Sequence, residues 1–214
     1  MLRAVIFDMD GVMVDTMDMH FDAATIVLNR AGAKVSREEV SRLDSTRSAD
    51  GFRRFLKGKS EDDIKKLVAE KYEWLFSRSR GLKPIPGFLE FFFLVKGKYR
   101  LAVVSSSVKA FVQHIMSELS ITGSFEVLLG GDDISKGKPD PEGYFLAAKK
   151  LGVAPAECLV IEDSLYGIMS AKAAGMKVIA VTNTYDRNFL LDADLIVDSL
   201  AEIQIARLEA LFRA

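Results

Sequence analysis

Residues 4–12 read Ala-Val-Ile-Phe-Asp-Met-Asp-Gly-Val, and this stretch decides the fold. Four apolar residues lead into two aspartates and a glycine, which is typical of a buried strand that ends at the edge of a sheet. Because side chains alternate along an extended chain, Asp8 and Asp10 are expected on the same side of it. Two carboxylates this close need a cation, a shared proton, or separate roles as nucleophile and acid/base. Taken alone, the stretch fits a strand followed by an aspartate-rich turn equally well.

The composition is that of a globular protein without a charge surplus. The chain has 214 residues, of which 49% are hydrophobic and 28% are charged, and its formal net charge is -1. It is long enough for one domain, with or without an insertion, and it lacks the positive charge expected of a protein that binds nucleic acid or an anionic membrane. The longest apolar run near Phe91 has five residues, which is too short for a membrane span.

The single cysteine and the N-terminal sequence bear on the cellular compartment. Cys158 has no partner for an intrachain disulfide and lies in the apolar run Cys-Leu-Val-Ile, so we expect a buried structural thiol in a reducing compartment. Asp8 interrupts the N-terminal apolar run, which argues against a signal peptide. We expect a cytoplasmic protein, and we expect it to be a monomer.

Residues 17–80 carry helix signals and contain no stretch that alternates like a strand. Ser36 with Glu39 has the pattern of a capping box, and Ser60 starts a further helix. The inward face of that helix is predicted to comprise Ile64, Leu67, Val68, Lys71, Tyr72, Leu75 and Phe76. We therefore predict two domains, namely an α/β core of residues 1–14 and 82–214 and an all-helical cap of residues 15–81.

From residue 88 onwards the sequence alternates between helices and strands. Asp140 and Pro141 are expected as the cap and first residue of the helix after the third strand. Short apolar strands separated by helices of about a dozen residues predict a parallel, doubly wound sheet. Ligands bind beyond the carboxyl ends of the strands in such sheets. After the first strand, we predict strands at residues 101–104, 126–129, 159–161, 177–181 and 195–197.

Polar residues follow four of the predicted strands and are expected to meet at one edge of the sheet. They are Asp8 and Asp10 after the first strand, Ser105 and Ser106 after the second, Lys138 in the loop after the third, and Glu162 and Asp163 after the fourth. Ser105 could instead be a helix cap, Lys138 a solvated lysine, and the acidic pair a favourable helix start. Four such coincidences at one edge favour a site. Four carboxylates beside one ammonium require a divalent cation, and oxygen ligands select magnesium over zinc.

These residues resemble the four motifs of the haloacid dehalogenase superfamily, and the resemblance covers the whole chain. The matching stretches are Asp8-Met9-Asp10-Gly11, Ser105 after an apolar strand, Lys138 in Gly-Lys-Pro-Asp-Pro, and Glu162-Asp163-Ser164 with Gly167. The helical insertion after the first motif is similar to the small cap of the β-phosphoglucomutase and phosphoglycolate phosphatase branch. The resemblance thus implies a Rossmann-like core with a small cap inserted after the first strand.

The resemblance also implies roles for the motif residues. Asp8 would be the nucleophile, and Asp10 the general acid/base through its side chain and a metal ligand through its carbonyl. Asp163 would be a metal ligand, as would Glu162 unless it only supports the metal site. Ser105 and Ser106, together with Lys138, would bind the phosphoryl group. Mg²⁺ is the implied cofactor.

Two cap residues are further candidates for substrate binding. His20 stands where the β-phosphoglucomutase pattern supports the acid/base aspartate, although a lone histidine on a helix is as often a packing residue. Arg47 lies in the sequence Asp44-Ser45-Thr46-Arg47-Ser48, where the family usually has a Gly-x-Ser turn. Arg47 could bind a distal anionic group of the substrate or could be solvated.

The predicted function is a magnesium-dependent phosphatase that hydrolyses a small phosphorylated metabolite, with a sugar phosphate as the expected substrate. The alternative is a phosphomutase of the β-phosphoglucomutase kind. A dehalogenase is disfavoured because departure of a halide does not need the acid that Asp10 provides. A binding protein that has lost turnover is disfavoured because the set of motif residues is complete.

Overall fold

The computed structural model describes residues 1–42 and 45–213, which form a parallel sheet flanked by helices. The sheet has six strands in the described residues, in the order β3-β2-β1-β4-β5-β6. The strands are β1 Ala4–Phe7, β2 Arg100–Val104, β3 Val127–Leu129, β4 Cys158–Glu162, β5 Lys177–Val181 and β6 Leu195–Val197. The helices are α1 Met17–Arg30, α2 Arg37–Ser41, α3 Ser48–Phe55, α4 Glu61–Arg78, α5 Phe88–Val95, α6 Lys109–Glu118, α7 Glu142–Leu151, α8 Leu165–Ala173 and α9 Ile205–Ala210. The predicted doubly wound sheet is confirmed.

The central strand β1 is buried on both faces because helices cover both sides of the sheet. Ile6 belongs to the cluster formed with α7 and α8, where Tyr144 is buried. Phe7 faces the other layer, and its ring lies 6.0 Å from that of Phe88 and 5.8 Å from that of Phe91. This two-sided burial explains why the strand reads as an uninterrupted apolar run and why it ends where the first carboxylate begins.

Register brings the carboxyl ends of three strands together. Phe7 of β1 is paired with Val103 of β2 and with Ile161 of β4. The amide of Asp8 continues this pairing, since it donates to the carbonyl of Ile161 at 2.9 Å. The residues that follow these strands therefore lie at the same edge of the sheet, as the sequence predicts.

Helices α1 to α4 pack together above that edge. Many of their apolar residues, among them Val27, Leu28, Val40, Phe52 and Ile64, form a separate cluster, while Ala23, Tyr72 and Leu75 belong to the cluster on the sheet. The capping boxes at Ser36 and Ser60 are both present, so the helix starts predicted from these residues are confirmed. Two chain segments connect this helical region to the sheet, and an isolated antiparallel bridge joins them at Val14 and Pro84.

Some local predictions need small corrections. Pro141 is the N-cap of α7 and not its first helical residue, while the carboxylate of Asp140 accepts from the amide of Glu142 at 3.0 Å. Cys158 is buried as predicted, and burial raises the pKa of its thiol to about 11. In the part of the chain that is described, no helix is both long and apolar enough to cross a bilayer.

We propose that residues 15–81 form a domain with its own core, and Leu28→Ala tests this. Leu28 is fully buried in the cap cluster, so the substitution is expected to lower the free energy of unfolding of the cap by about 2–5 kcal/mol. Hydrogen exchange should then accelerate in α1 and α4 while the amides of β1 and β4 keep their protection. Leu159→Ala, in β4, is the matched control and should affect the sheet. Equal loss of protection in cap and sheet would contradict a separate cap domain.

Candidate active site

Asp8 and Lys138 form a buried ion pair at the carboxyl edge of the sheet. The side chains of Asp8 and Lys138 are 8% and 6% exposed. The ammonium of Lys138 donates to Oδ1 of Asp8 at 2.5 Å and to Oε1 of Glu162 at 2.5 Å. Lys138 reaches this position from the loop after β3, and Glu162 is the last residue of β4. A cation from the loop after β3 thus joins a carboxylate that follows β1 to one that ends β4.

Both carboxylate oxygens of Glu162 are occupied by protein donors. Oε1 accepts from Lys138 and from the hydroxyl of Tyr144, the latter at 2.7 Å. Oε2 accepts from the amides of Asp163 and Ser164 at 3.0 and 3.1 Å and from the Ser164 hydroxyl at 2.9 Å. Glu162 therefore fixes both the ammonium and the turn that presents Asp163.

The charges of this cluster shift each other's pKa values. Burial raises the pKa of Asp8 well above its usual value, although the nearby Lys138 ammonium opposes the rise. Burial also favours a neutral Glu162, but Lys138 and the hydrogen bonds to Glu162 outweigh burial and lower its pKa. The two carboxylates raise the pKa of Lys138 well above its usual value in spite of burial. The lysine is therefore a permanent cation in this site.

Three carboxylates of the cluster could share a metal ion. Asp8, Glu162 and Asp163 each offer an oxygen, and these oxygens lie within 4.8 Å of one another. Asp163 also accepts a hydrogen bond from the hydroxyl of Thr184. An all-oxygen, negatively charged and buried donor set suits a hard divalent cation such as Mg²⁺. Because the oxygens of Glu162 are engaged by the protein, Asp8 and Asp163 are the better placed direct ligands.

Asp10 lies beside this cluster and contacts a different set of groups. Its Oδ1 accepts from the Thr16 hydroxyl at 2.5 Å and lies 3.3 Å from Nε2 of His20. Its Oδ2 accepts from the hydroxyls of Ser105 and Ser107 at 3.1 and 2.9 Å. Burial raises the pKa of Asp10, but His20 and these hydrogen bonds outweigh burial and hold that pKa below its usual range. Asp10 is thus an anion in this arrangement.

The contacts of His20 continue into the cap through a buried lysine. Nδ1 of His20 lies 3.0 Å from the ammonium of Lys71, which also donates to the Ser48 hydroxyl at 2.8 Å. Burial lowers the pKa of Lys71 to about 8, partly offset by the negative charge of Asp10. A cavity of about 80 Å³ adjoins these groups and is otherwise lined mainly by apolar cap residues. The cap thus places a cation and an imidazole beside Asp10.

Ser106 and Arg47 are both engaged between the cap and the sheet domain. The hydroxyl of Ser106 donates to the main-chain carbonyl of Ser45 at 2.7 Å. Arg47 pairs with Asp50 and donates to the carbonyl of Ile134, so its contacts here are with protein groups. Asp44, the first residue of the loop considered in the sequence, lies outside the described residues.

Several residues of the site have no role in the sequence-based prediction. Thr16 is the N-cap of α1, yet its hydroxyl donates to Asp10 and makes no cap hydrogen bond. Lys71 carried a signal, because a lysine on the apolar face of a helix indicates a buried cation. Thr184 lies just beyond the end of β5. A polar residue after a strand at this edge of the sheet is the feature of the sequence that could have identified it. Ser107, which donates to Asp10, and Tyr144, which donates to Glu162, are two more site residues that the sequence-based prediction does not name.

Comparison with known proteins identifies the family. Residues 5–181 match the family model for haloacid dehalogenase-like hydrolases. The chain belongs to this family. The resemblance inferred from the motifs is therefore confirmed.

Relatives and solved structures of this hydrolase family match nearly the whole chain. The phosphorylated carbohydrates phosphatase of Thermotoga maritima is 33% identical over 90% of this chain and 91% of that protein. Hexitol phosphatase A of Escherichia coli is 30% identical over 96% of this chain and 94% of that protein. The crystal structure of β-phosphoglucomutase from Clostridium difficile has a TM-score of 0.88 at 25% identity, covering 99% of this chain and 97% of that one.

Two positions in the motifs of this haloacid dehalogenase-like hydrolase require glycine for steric reasons. A Cβ atom at Gly167 would lie 1.8 Å from Oε1 of Glu162. A Cβ atom at Gly11, which has a φ of +83°, would lie 1.9 Å from Oδ2 of Asp163. Real Cβ atoms do not approach other atoms this closely. Both positions therefore exclude a side chain so that the acidic residues can occupy the space.

The low pKa of Lys71 predicts a pH-dependent stability that Lys71→Met should remove. Burial lowers the pKa of Lys71 to about 8 in the folded protein, whereas its pKa in the unfolded chain is about 10.5. Between these values the unfolded chain binds more protons, so the free energy of unfolding rises with pH, by about 3 kcal/mol in total. We expect the difference in the free energy of unfolding between wild type and Lys71→Met, measured by urea unfolding, to show this rise. Lys66→Met, on the exposed face of α4, is the control.

A difference between wild type and Lys71→Met that stays constant across this pH window would contradict the assignment. A rise that Lys66→Met removes as well would also contradict it.

Proposed function

We propose that this protein is a magnesium-dependent phosphatase that hydrolyses a small phosphorylated metabolite, in particular a sugar phosphate, through a phosphoryl group on Asp8. The observation that carries the proposal is the placement of Asp8 at the end of β1, between the ammonium of Lys138 and a group of oxygen donors. Phosphatase names among relatives that span the chain, including enzymes for phosphorylated carbohydrates and for hexitol phosphates, support it. We also expect it to act as a cytoplasmic monomer.

The proposed first step is attack by Asp8 on the phosphorus atom. An Asp8 oxygen forms a bond to phosphorus as the bond to the leaving oxygen breaks, and the leaving oxygen takes up a proton. Lys138, beside Asp8, would stabilise the charge on the transferring group together with Ser105 and Ser106. Mg²⁺ held by Asp8, Asp163 and the carbonyl of Asp10 would reduce the repulsion between the carboxylate and the phosphate dianion.

Asp10 is proposed to move protons in both steps. As an anion it can accept a proton from the water that attacks the aspartyl-phosphate, which releases phosphate and restores Asp8. Before that, protonation of the leaving oxygen requires a protonated Asp10, which is disfavoured while Thr16, Ser107 and His20 hold it as an anion. The acid and base steps therefore use different hydrogen-bonding arrangements of this side chain.

A phosphomutase is the second candidate, and the buried ammonium of Lys71 beside His20 favours it. A mutase must hold a bisphosphorylated intermediate under a cap that keeps water from the aspartyl-phosphate. Arg47, the expected anion-binding residue of the cap, is engaged by Asp50 and by a main-chain carbonyl, which favours the phosphatase. With β-glucose 1-phosphate, magnesium and a trace of the bisphosphate, faster formation of glucose 6-phosphate than of free phosphate would establish the mutase.

Phosphate release from a panel of phosphate esters with Mg²⁺ tests the phosphatase, and Asp8→Asn tests its nucleophile. We expect release from at least one sugar phosphate and a loss of about a thousandfold or more in the variant, because an amide cannot replace the carboxylate oxygen that bonds to phosphorus. Asp192→Asn, at an exposed position, is the control and should retain activity. An Asp8→Asn variant that is folded and retains more than a few per cent of activity would refute the role of Asp8.

Titration of Mg²⁺ in two charge-neutralising variants distinguishes a direct metal ligand from a residue that only supports the metal site. Asp163→Asn removes a proposed ligand, so the Mg²⁺ concentration for half-maximal rate should rise about tenfold or more. Glu162→Gln should lower the maximal rate with a smaller change in that concentration, because Glu162 contacts Lys138 and the turn through Ser164. An unchanged Mg²⁺ requirement in Asp163→Asn, or full activity in excess chelator, would refute the metal site.

A further inference from the structure

Arg47 is held by groups from both domains. Its Nε donates to Oδ2 of Asp50 in the cap at 2.6 Å. Its Nη1 donates to the carbonyl of Ile134 at 2.7 Å and lies 3.4 Å from the carbonyl of Gly131, both in the loop after β3. The side chain is only 17% exposed. The guanidinium thus uses its donors on a carboxylate of its own domain and on carbonyls of the other.

The loop after β3 is shaped to receive the arginine stem. A Cβ atom at Gly137 would lie 3.0 Å from Cγ, 3.2 Å from Nε and 3.3 Å from Cδ of Arg47, and these are its three nearest neighbours. Gly137 immediately precedes Lys138 in the chain. The cap arginine therefore packs directly on the backbone that presents the ammonium of the active site.

Other contacts fix the loop at different points. The amides of Ser135 and Lys136 donate to the carboxylate of Glu142 at 2.8 and 2.9 Å, which anchors the middle of the loop to α7. The Ile134 carbonyl and the Gly137 backbone lie on either side of this anchor, and Arg47 contacts both. Arg47 contributes to the loop conformation only while the cap is docked on the sheet domain.

We propose that Arg47 is a positioning residue: it docks the closed cap on the loop of residues 130–138 and so sets Lys138 between Asp8 and Glu162. The proposal rests on the proposed phosphatase function. It assigns Arg47 to the coupling of cap closure with the phosphoryl-binding lysine, and not to a distal group of the substrate. When the cap opens, the arginine leaves the loop, so the lysine is fully positioned only when the cap excludes bulk water.

Kinetics of Arg47→Ala separate positioning from substrate binding. The best sugar phosphate of the panel is compared with p-nitrophenyl phosphate, which has no second anionic group. Positioning predicts that kcat/KM falls by a similar factor, about tenfold, for both, because a charge-assisted hydrogen bond is lost far from the leaving group. The inhibition constant of inorganic phosphate, which has no leaving group at all, should rise by a similar factor. A loss confined to substrates with a distal anionic group would overturn the proposal.

Two further variants control for charge and for general damage to the cap. Arg53→Ala removes a neighbouring cap arginine whose hydrogen bonds go to Asp50 and Glu61, so its kcat/KM should stay within about twofold of wild type. Arg47→Lys keeps a donor and should recover part of the lost activity. A similar loss in Arg53→Ala and Arg47→Ala would show that Asp50 and the cap surface matter, and not the contact with the loop.

A double-mutant cycle with Gly137→Ala tests the contact itself. The added methyl group would lie 3.0–3.3 Å from three atoms of the arginine stem, which must shift by a few tenths of an ångström. We therefore expect Gly137→Ala to lower kcat/KM in wild type but to have little effect in the Arg47→Ala background. Additive effects would overturn the proposal. The same cycle in urea unfolding requires no turnover, so it distinguishes failure of the docking contact from failure of the phosphatase function, which would appear as wild type inactive on every ester.

Discussion

The ammonium of Lys138 lies between the carboxylates of Asp8 and Glu162, and the arrangement of the site depends on this buried contact. Burying carboxylates without a partner is strongly unfavourable, and removing one partner of a buried pair leaves an uncompensated charge. Glu162 accepts further hydrogen bonds from Tyr144 and Ser164, so the lysine is fixed from the side opposite to Asp8. The negative charge that remains near Asp8 is what a divalent cation would offset.

A second constraint is that Asp8, the proposed nucleophile, is almost inaccessible in this conformation. Asp8 is buried, while Asp10 is held by the hydroxyls of Thr16 and of two serines that follow β2. For substrate to reach Asp8, the proposed mechanism requires displacement of the cap, whose two connecting segments are joined by the bridge between Val14 and Pro84. The same movement would exclude and admit water, as the proposed two-step hydrolysis requires.

The position of the site at one edge of the sheet was predictable because the carboxyl ends of parallel strands lie at the same edge. Once β1 and β4 are recognised as buried apolar runs, the carboxylates that end them must meet. The contacts of Lys71, Tyr144 and Arg47 were not predictable in the same way, since each depends on how a helix or loop is placed in three dimensions. Thr16 is an example. Its position at the start of a helix follows from the local sequence, whereas the hydrogen bond from its hydroxyl to Asp10 depends on the tertiary structure.

Mass spectrometry of acid-quenched enzyme can detect the covalent phosphorylation of Asp8 that the proposed mechanism requires during turnover. The enzyme is mixed with its best substrate and Mg²⁺, quenched in acid within the first turnovers, and digested. The account predicts the added mass of one phosphoryl group on the peptide that contains Asp8, decaying at the rate at which free phosphate appears. Rapid phosphate release with no phosphoryl group on that peptide at any quench time would contradict the account, because water would then attack the substrate directly.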